Sequence, residues 1–495
     1  MKNITIIKSR FSIVSIVLAL IGFSFLACAN DAIEIGAVDE DRYAVGDGSS
    51  THAFVTDGDG RMFFHNIDFR NGSTMPFYLN VRNRQSTASS VTITYDLSAL
   101  DTPNTRNSEN HQVFPKHLVE LTNGGILSLA AGTTQSPAMN MVLTSDGSLD
   151  PNMSYIIPLR IRVTSGGLQL TERDETKLIF VRDITALPDG SNNPFGITMM
   201  SCYEANDMNP LNHLSFTLRS TGELFFNTVI IFSANVNFDE TTGRPFVFFN
   251  ENIQPKLDRF DHYYRPLQER GVRIILSLLP NHDRAGLSNM TTEGARAFAQ
   301  EVRAICDAFG LDGIMLDEEY MARNFINNPA PGFLRPSQYN LARMAFEIKQ
   351  AQPHRSLMLY LFADISSSTD WAGGSSNFPL PDIDGIEPGE FIDFAIQDYN
   401  ASVGFPSQIR GVPDARQAWR SQEWVLPRQA ATTQTVENNL RAERDRGRLS
   451  HMIFGFDPSR GNWNTTQLPA MQRTANAYFE DEVKDSGVRY PIDWR

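Results

Sequence analysis

The amino-acid sequence predicts an α/β protein in which an all-β sandwich precedes a (β/α)8 TIM barrel. Before residue 183, short alternating or β-branched segments are separated by turn residues and show no helical periodicity. After residue 194, apolar strands alternate with amphipathic helices, and eight strand candidates span about 300 residues, as expected for a barrel. An open, doubly wound sheet is the structural alternative for this second region.

Residues 1–27 are predicted to be a signal peptide of the lipoprotein type. Three basic residues precede an uncharged run from Phe11 to Leu26, which is shorter than the roughly 20 residues needed to span a bilayer. The run closes with Phe25-Leu26-Ala27-Cys28, which resembles the bacterial lipobox, whose cysteine carries the lipid. We therefore expect an exported protein with a lipid on Cys28 and a tether over residues 28–38. Simple cleavage near Ala27 is the alternative.

The all-β sandwich is predicted over residues 39–183. Its strand-like runs lie at residues 77–82, 91–95, 155–163 and 177–181. Residues 184–193 contain Pro, Gly and Asn, which is the composition of a linker. We therefore place a domain boundary there and assign residues 194–495 to the barrel.

The eight barrel strands are predicted at residues 196–202, 228–236, 272–279, 311–317, 357–362, 391–397, 424–427 and 452–456. Helices are predicted between several of these strands, at residues 252–270, 292–309, 337–352 and 435–446. Gly271, Gly310 and Gly447 follow three of the helices, and glycine best tolerates the left-handed conformation of a helix end.

Composition and charge exclude several classes of function. The chain is 41% hydrophobic and 20% charged, which is typical of a globular protein. Its net charge is −14 and it has no dense basic block, so we expect no nucleic-acid partner. The nine histidines form no zinc-binding motif, and no Gly-x-Gly-x-x-Gly follows the first barrel strand. We therefore expect no metal and no other cofactor. Cys202 and Cys306 are too few for a disulfide framework.

The segment Leu311-Asp-Gly-Ile-Met-Leu-Asp-Glu-Glu-Tyr320 carries the residues with the clearest chemistry. Alternation along a strand places Met315, Asp317 and Glu319 on one face. If that face is the barrel interior, two carboxyl groups lie at the carboxyl end of the fourth strand, where barrel enzymes have their active sites. A second carboxylate close by would raise the proton affinity of Glu319 and let it act as an acid. An acidic first turn of a helix is the structural alternative.

This segment resembles the Asp-Gly-x-Asp-x-Asp-x-Glu signature of glycoside hydrolase family 18. The matching residues are Asp312, Gly313, Asp317, Glu319 and the trailing Tyr320. Segments 204–212 and 279–286 are most similar to the endo-β-N-acetylglucosaminidases of that family, which trim N-glycans. The amino-terminal sandwich resembles the immunoglobulin-like domains that precede such barrels in surface lipoproteins of glycan-foraging Gram-negative bacteria.

The resemblance implies substrate-assisted, retaining hydrolysis through an oxazolinium ion. In this mechanism Glu319 donates the proton, Asp317 orients the acetamide of the substrate, and Tyr399 donates a hydrogen bond to the acetamide oxygen. The implied substrate contacts are Tyr320, Gln397, Asn400, Asn281 and His282. Candidates for the aromatic ring beneath the sugar are Phe454, Phe456 and Trp463. Met315 replaces one aspartate of the signature, which leaves open how Asp317 is held.

Three functions remain at this point. The first is an endo-β-N-acetylglucosaminidase that hydrolyses the β-1,4 bond between the two core N-acetylglucosamines of N-glycans. The second is a non-hydrolytic glycan-binding lipoprotein on a degenerate barrel, and the third is a chitinase-type hydrolase. The expected partners are N-glycans on glycoproteins and a membrane reached only through the lipid. The expected state is a monomer at the outer membrane of a Gram-negative bacterium.

Overall fold

The computed structural model describes residues 51–495 except 102–111, 152, 187–194, 282, 320–326, 362–379, 399–408, 419–420, 425–432 and 495. The elements described below all belong to the unit His52–Arg495. The predicted signal peptide and Cys28 lie outside the described residues. Within the described ranges, no helix is both long and apolar enough to cross a membrane.

The amino-terminal region consists of two sheets that enclose one apolar core. Its strands are β1 (Ala53–Thr56), β2 (His65–Phe69), β3 (Gly72–Val81), β4 (Ser89–Tyr95), β5 (Val119–Leu121), β6 (Ile126–Leu129), β7 (Met139–Thr144), β8 (Tyr155–Ser165) and β9 (Thr176–Asp183). One sheet has the order β1-β3-β7-β5 and the other β2-β9-β8-β4-β6. Side chains from both sheets, among them Leu79, Ile93, Met141 and Ile161, share the core. The immunoglobulin-like sandwich predicted over residues 39–183 stays a prediction.

The carboxy-terminal region contains a nearly closed barrel of parallel strands. Its strands are β10 (Thr198–Glu204), β11 (Phe216–Leu218), β12 (Thr228–Phe238), β13 (Pro245–Phe248), β14 (Arg273–Pro280), β15 (Gly313–Asp317), β16 (Ser356–Leu361), β17 (Phe394–Gln397), β18 (Gln417–Ala418), β19 (Ser421–Glu423), β20 (Ser450–Phe454) and β21 (Val483–Asp485). The barrel order is β18-β17-β16-β15-β14-β12-β10-β20-β19, β13 pairs with β12 in antiparallel orientation, and β11 pairs with β21.

Helices cover the outside of this barrel. They are α1 (Gln254–Asp258), α2 (Phe260–Tyr263), α3 (Arg265–Gln268), α4 (Thr292–Phe309), α5 (Gln338–Ala351), α6 (Pro388–Phe391), α7 (Gln434–Asp445) and α8 (Leu468–Phe479). Shorter 3-10 turns lie at Leu97–Leu100, Lys116–Leu118, Thr122–Gly125, Pro210–Ser215 and Asp414–Arg416, and a π turn at Trp463–Gln467. The three predicted helix-ending glycines have φ values of +78, +67 and +83 degrees at Gly271, Gly310 and Gly447, as expected.

The seventh barrel strand differs from the prediction. It is present as β18, which pairs with β17, and β19, which pairs with β20, so that the barrel nearly closes. Trp424, the predicted start of this strand, follows β19 and is fully buried. The strand itself carries buried polar residues, and Gln422 accepts a hydrogen bond from the indole of Trp424 at 2.9 Å. Hydrophobicity therefore predicts the strand at residues 424–427, directly after its observed position in β19.

The helix predicted over residues 252–270 is broken into α1, α2 and α3. The interruptions fall at Arg259 and Tyr264, whose backbone φ values are −111 and −117 degrees. Pro266 follows the second interruption, and proline removes a donor from a continuous helix and clashes with the preceding turn. The helix predicted at residues 292–309 has those bounds, and the ends of the other two predicted helices differ by one residue.

Charged pairs join the sandwich to the amino-terminal ends of the barrel strands. Asp312 immediately precedes β15, and its carboxylate accepts hydrogen bonds from Arg182 on β9 at 3.0 Å and from the backbone of Ile274 at 2.8 Å. Asp393 precedes β17 and binds Arg61 of the sandwich at 3.1 Å and Lys349 at 2.7 Å. The sandwich therefore lies at the end of the barrel opposite the carboxyl ends of β15 and β17.

Candidate active site

The barrel interior is apolar over most of its height. Its core contains Met200, Cys202, Ile230, Ile275, Met315, Met358, Tyr360, Phe394, Ile396, Ala418 and Met452. At one end of this core lies a small cavity of about 30 Å³. It is lined by Cys202, Phe232, Met315, Asp317, Glu319, Tyr360, Met452 and Phe454. The cavity is therefore at the carboxyl end of the strands, with an apolar floor to which Met315 contributes.

Strand β15 presents Asp317 and Glu319 to this cavity. Gly313 begins the strand where a side chain cannot fit, because an added Cβ would lie 2.3 Å from the carbonyl oxygen of Ser356. Met315, Asp317 and Glu319 all line the cavity, so the expected alternation is present. The two carboxyl groups are thus on the same side of the chain and share one pocket.

Glu318 points to the opposite side and has a structural role that the sequence did not suggest. Its Oε2 accepts hydrogen bonds from the backbone amides of Leu287 at 2.6 Å and Ser288 at 3.0 Å. Burial raises the pKa of Glu318 to about 8, although those two amides act in the opposite direction. This carboxyl group holds the loop after β14 against the end of β15.

The electrostatics of the cavity favour protonated carboxyl groups. Burial raises the pKa of Glu319 to about 7, and the charge of Asp398 acts in the same direction. Burial also raises the pKa of Asp317 well above its ordinary value, with added effects from Glu319, Asp398 and Glu318. Within the described residues, the buried Oδ1 of Asp317 has no hydrogen-bond partner. Near neutral pH the pocket can therefore hold a proton ready for donation and a carboxyl oxygen that lacks a donor.

Asp398 is a third carboxyl group near the pair, and the sequence analysis did not select it. It follows β17 and accepts a hydrogen bond from the hydroxyl of Tyr360 at 2.7 Å, and Tyr360 lines the cavity. The signal was present in the sequence, because Asp398 lies two residues after Ile396, which faces the barrel interior. Alternation places the buried Gln397 with Ala395 on the side of the helices. Its assignment as a substrate contact stays a prediction.

Glu204 is a further acidic residue that sequence reasoning missed. It ends β10, two residues after Cys202, and therefore shares the inward face of that strand. Burial and the neighbouring Asp207 raise the pKa of Glu204 to about 7, while Arg460 acts to lower it. Arg460 also forms ion pairs with Asp207 and Asp457, so a mixed-charge cluster lies beside the first strand.

The remaining predicted site residues fall into three groups. Asn281 follows β14 directly and its side chain is exposed. Phe454 lines the cavity, whereas Phe456 and Trp463 pack in the outer core. The other four predicted contacts, Tyr320, His282, Tyr399 and Asn400, lie outside the described residues. In the described part of the chain, no group of three His, Cys, Asp or Glu side chains could hold a metal ion.

A parallel barrel with an apolar floor and two neighbouring carboxyl groups at its carboxyl end, one with a pKa near neutrality, has the construction of a glycoside hydrolase. Comparison with known proteins gives the family. The chain is 38% identical to endo-beta-N-acetylglucosaminidase F1 of Elizabethkingia meningoseptica over 298 residues. The matched region covers 60% of this chain and 83% of that relative. The chain belongs to the endo-β-N-acetylglucosaminidases of glycoside hydrolase family 18.

Further comparisons agree with this assignment. An endo-beta-N-acetylglucosaminidase of Flavobacterium sp. is 29% identical over 233 residues, which cover 47% of this chain and 68% of that relative. The crystal structure of EndoBT-3987 from Bacteroides thetaiotamicron with a Man5GlcNAc product matches with a TM-score of 0.76 and 26% identity, over 88% of this chain and 97% of the other. A family model for an N-terminal domain matches residues 49–168.

Proposed function

We propose that this enzyme hydrolyses the β-1,4 bond between the two core N-acetylglucosamines of N-glycans. The observation that carries the proposal is the placement of Asp317 and Glu319 on one face of β15, lining one cavity. Two kinds of similarity support the substrate class. The relatives named above are endo-β-N-acetylglucosaminidases, and EndoBT-3987 was solved with a Man5GlcNAc product.

The first step of the proposed mechanism is proton transfer from Glu319. Its carboxyl proton moves to the glycosidic oxygen as the bond from that oxygen to the anomeric carbon breaks. The acetamide oxygen of the same sugar forms a new bond to the anomeric carbon and gives an oxazolinium ion, so no protein nucleophile is required. A pKa of about 7 for Glu319 supports this role, because the acid form is then populated at neutral pH.

Asp317 is proposed to orient the acetamide and to stabilise the positive charge that develops on it. Its unpartnered Oδ1 needs a donor, and the N–H of the acetamide would supply one. The developing positive charge would favour the ionised form of Asp317. In the second step, water attacks the anomeric carbon, the bond to the acetamide oxygen breaks, and Glu319 takes a proton from the water. Tyr399, proposed as a donor to the acetamide oxygen, would complete the site.

The test replaces the proton donor. Glu319→Gln should lower glycan release from a high-mannose glycoprotein by about 10²–10⁴-fold, the usual contribution of a general acid. Mass spectrometry should show a product that ends in one N-acetylglucosamine, and proton NMR should show the β anomer first. Glu318→Gln is the matched control, because it changes the neighbouring carboxyl group on the other side of the strand. Equal turnover by Glu319→Gln and wild type would remove Glu319 from this role.

A second experiment addresses the oxazolinium step and the alternative substrate. Asp317→Asn should lose less activity, relative to wild type, on a presynthesised glycan oxazoline than on the intact glycan. The reason is that the oxazoline bypasses the first step. A product with inverted configuration would contradict the proposal. Turnover of chitin oligomers with none of glycoproteins would favour the chitinase-type function instead.

We also propose that the protein is an exported, monomeric lipoprotein of the outer membrane whose two-sheet domain is immunoglobulin-like. The support is the signal-like segment before Cys28 and the two sheets around one core. In cells fed a labelled fatty acid, the wild-type chain should carry the label and Cys28→Ser should not. Labelling of both chains, or of neither, would contradict lipidation of Cys28.

A further inference from the structure

Asp398 is linked through one side chain, that of Tyr360, to the cavity that Asp317 and Glu319 line. In the parallel register, Asp317 on β15 pairs with Tyr360 on β16, and Tyr360 pairs with Ile396 on β17. Paired residues of neighbouring strands point to the same face of a sheet, and Asp398 follows Ile396 by two residues. The phenol of Tyr360 lines the cavity, and its hydroxyl donates a hydrogen bond to Oδ1 of Asp398 at 2.7 Å. Asp398 is therefore fixed at the cavity wall, where it is 3% exposed.

Hydrogen bonding distinguishes Asp398 from Asp317. Asp398 has a donor in Tyr360, whereas the buried Oδ1 of Asp317 has no hydrogen-bond partner among the described residues. A hydrogen bond to a carboxylate stabilises its ionised form, and burial without such a bond favours the neutral form. When neighbouring buried carboxyl groups cannot all ionise, the group with the donor keeps the charge more readily. Asp398 is therefore better suited than Asp317 to stay ionised before the substrate reacts.

The electrostatic effects on Glu319 agree with this difference. Burial raises the pKa of Glu319 to about 7, and the charge of Asp398 acts in the same direction. The pKa of Asp317 is itself raised well above its ordinary value, first by burial and then by the neighbouring carboxyl groups. A protonated carboxyl group carries no charge, so Asp317 in that form cannot hold a proton on Glu319, whereas an ionised Asp398 can.

The other titratable side chains around Glu319 lie on β10, β16 and β19. Cys202 and Glu204 belong to the inward face of β10, Tyr360 lies on β16, and Glu423 on β19 pairs with Phe454 of the cavity wall. The side chains that line the cavity are thus apolar, acidic or weakly acidic. In such surroundings an ionised neighbour acts more strongly on a carboxyl group than it would in water.

We propose that Asp398, held by Tyr360, is a positioning residue that keeps the donor proton on Glu319 until that proton is transferred to the substrate. Met315 stands in place of one aspartate of the family signature, and Asp398 brings a carboxyl group to the same apolar interior from a different strand. The proposal rests on the function proposed above, because it takes Glu319 as the proton donor. It adds to that function a residue outside the signature segment, which acts on the donor and not on the substrate.

Infrared difference titration measures the protonation of Glu319 directly, because the carboxyl band that is lost in Glu319→Gln belongs to that group. The midpoint in wild type should lie near pH 7. Asp398→Asn removes the charge but keeps an acceptor for Tyr360, and it should move the midpoint about one pH unit lower. Asp261→Asn is the matched control, because it removes an exposed carboxylate from α2 and should leave the midpoint unchanged.

Tyr360→Phe tests whether the hydroxyl acts through Asp398. Without its donor the ionised carboxylate is less stable, so the midpoint of Glu319 should fall by part of the shift seen in Asp398→Asn. The double variant should shift no further than Asp398→Asn alone, because the hydroxyl then has no charge to stabilise. Additive shifts would overturn the link between the two residues. If Asp398→Asn does not fold, Tyr360→Phe alone carries the test, and an unchanged midpoint in it overturns the proposal.

Kinetics separate this proposal from the catalytic one. In Asp398→Asn, the basic limb of the kcat/KM profile for a high-mannose glycopeptide should move to lower pH by the same amount as the infrared band, with KM within about twofold of wild type. If wild type releases no glycan but the band still shifts, the proposed function fails and the action of Asp398 on Glu319 stands. A folded Asp398→Asn whose band keeps the wild-type midpoint overturns the proposal, even if kcat falls at every pH, because a purely structural role gives that result.

Discussion

The two ends of the barrel surround their buried carboxyl groups differently. At the amino-terminal ends of the strands, Asp393 lies between Lys349 and Arg61, and Asp312 lies against Arg182. At the carboxyl ends, the neighbours of Asp317 and Glu319 are apolar side chains and other carboxyl groups.

The pKa values follow from these surroundings. Burial alone would raise the pKa of Asp393, but the charges of Lys349 and Arg61 outweigh it and lower that pKa. At Asp317 and Glu319, burial and the charges of neighbouring carboxyl groups act in the same direction, and both pKa values rise. At the amino-terminal ends of the strands, cations stabilise ionised carboxylates. At the carboxyl ends, burial and neighbouring carboxyl groups favour the protonated form.

Removing a buried carboxylate at the amino-terminal ends of the strands should have the largest effect on stability. Asp393→Asn leaves the buried charges of Lys349 and Arg61 without their carboxylate, and it should lower the free energy of unfolding by about 3–5 kcal/mol. Urea denaturation at pH 7 measures this. Asp384→Asn is the matched control, because its pair with Arg343 is half exposed and should contribute less than about 1 kcal/mol. Equal losses in the two variants would contradict the contrast.

The pH dependence of stability should have opposite signs at the two ends. The pKa of Glu319 rises from 4.5 to about 7 on folding, so the folded protein binds this proton more tightly and loses stability as pH rises between those values. Glu319→Gln should therefore gain on the order of 2–3 kcal/mol over wild type between pH 4 and pH 8.

Asp393 has a lowered pKa, so its contribution is present above the ordinary value of 3.8 and is lost as pH falls further. Denaturation series for wild type, Glu319→Gln and Asp393→Asn between pH 3 and pH 8 measure both effects. Curves for Glu319→Gln and wild type that stay parallel throughout would show that the acid pair is not strained by burial.

Glu318 sharpens the comparison, because it lies at the catalytic end yet has hydrogen-bond donors. Glu318→Ala leaves the amides of Leu287 and Ser288 unpaired and should lower the free energy of unfolding by about 1–3 kcal/mol. Glu318→Gln keeps an acceptor and should lose less. Hydrogen exchange at those two amides, measured together with unfolding, distinguishes the variants. Exchange that is unchanged in Glu318→Ala would show that the carboxyl group does not hold the loop.

The smallest effect is expected at the floor of the cavity. Met315→Leu conserves volume and should lower the free energy of unfolding by less than about 1.5 kcal/mol, with kcat/KM close to wild type. Met315→Asp places another carboxyl group in the same apolar interior. It should lower the free energy of unfolding more at pH 8 than at pH 5, because the ionised carboxylate is costlier to bury. Urea denaturation at both pH values measures this. A more stable Met315→Asp variant would show that the interior holds a partner for it.

Local patterns were sufficient to predict that Asp317 and Glu319 share one face of β15, but not the contacts that support this strand. Alternation along β15 placed Asp317 and Glu319 together, because a strand fixes side-chain direction with a period of two. Asp312 belongs to the same signature, yet its side chain binds Arg182 and Gln268, which are far away in the sequence. No local pattern could reveal these partners of the first aspartate of the motif.

The other differences have similar causes. The seventh strand carries Gln417 and Gln422, whose amides bind Val412 and Trp424, and such internal pairing cannot be inferred from hydrophobicity. Alternation with Ile396 places Asp398 beside the barrel interior, but its hydrogen bond from Tyr360 is a tertiary contact that the sequence does not show. Alternation along the strands therefore predicted which side chains share a face, but neither the breaks in the helix predicted over residues 252–270 nor the tertiary hydrogen bonds were predicted.

The link from Glu318 to the loop after β14 has a consequence for how this enzyme can evolve. The same short segment of chain carries Glu319, the proposed proton donor, and, one residue earlier, Glu318, which anchors a loop at the rim of the cavity. Lengthening or reshaping that loop to admit a different sugar would shift the backbone at Glu318 and therefore the position of the neighbouring Glu319 carboxyl group. New substrate preferences should therefore arise more readily in loops that are not anchored to β15.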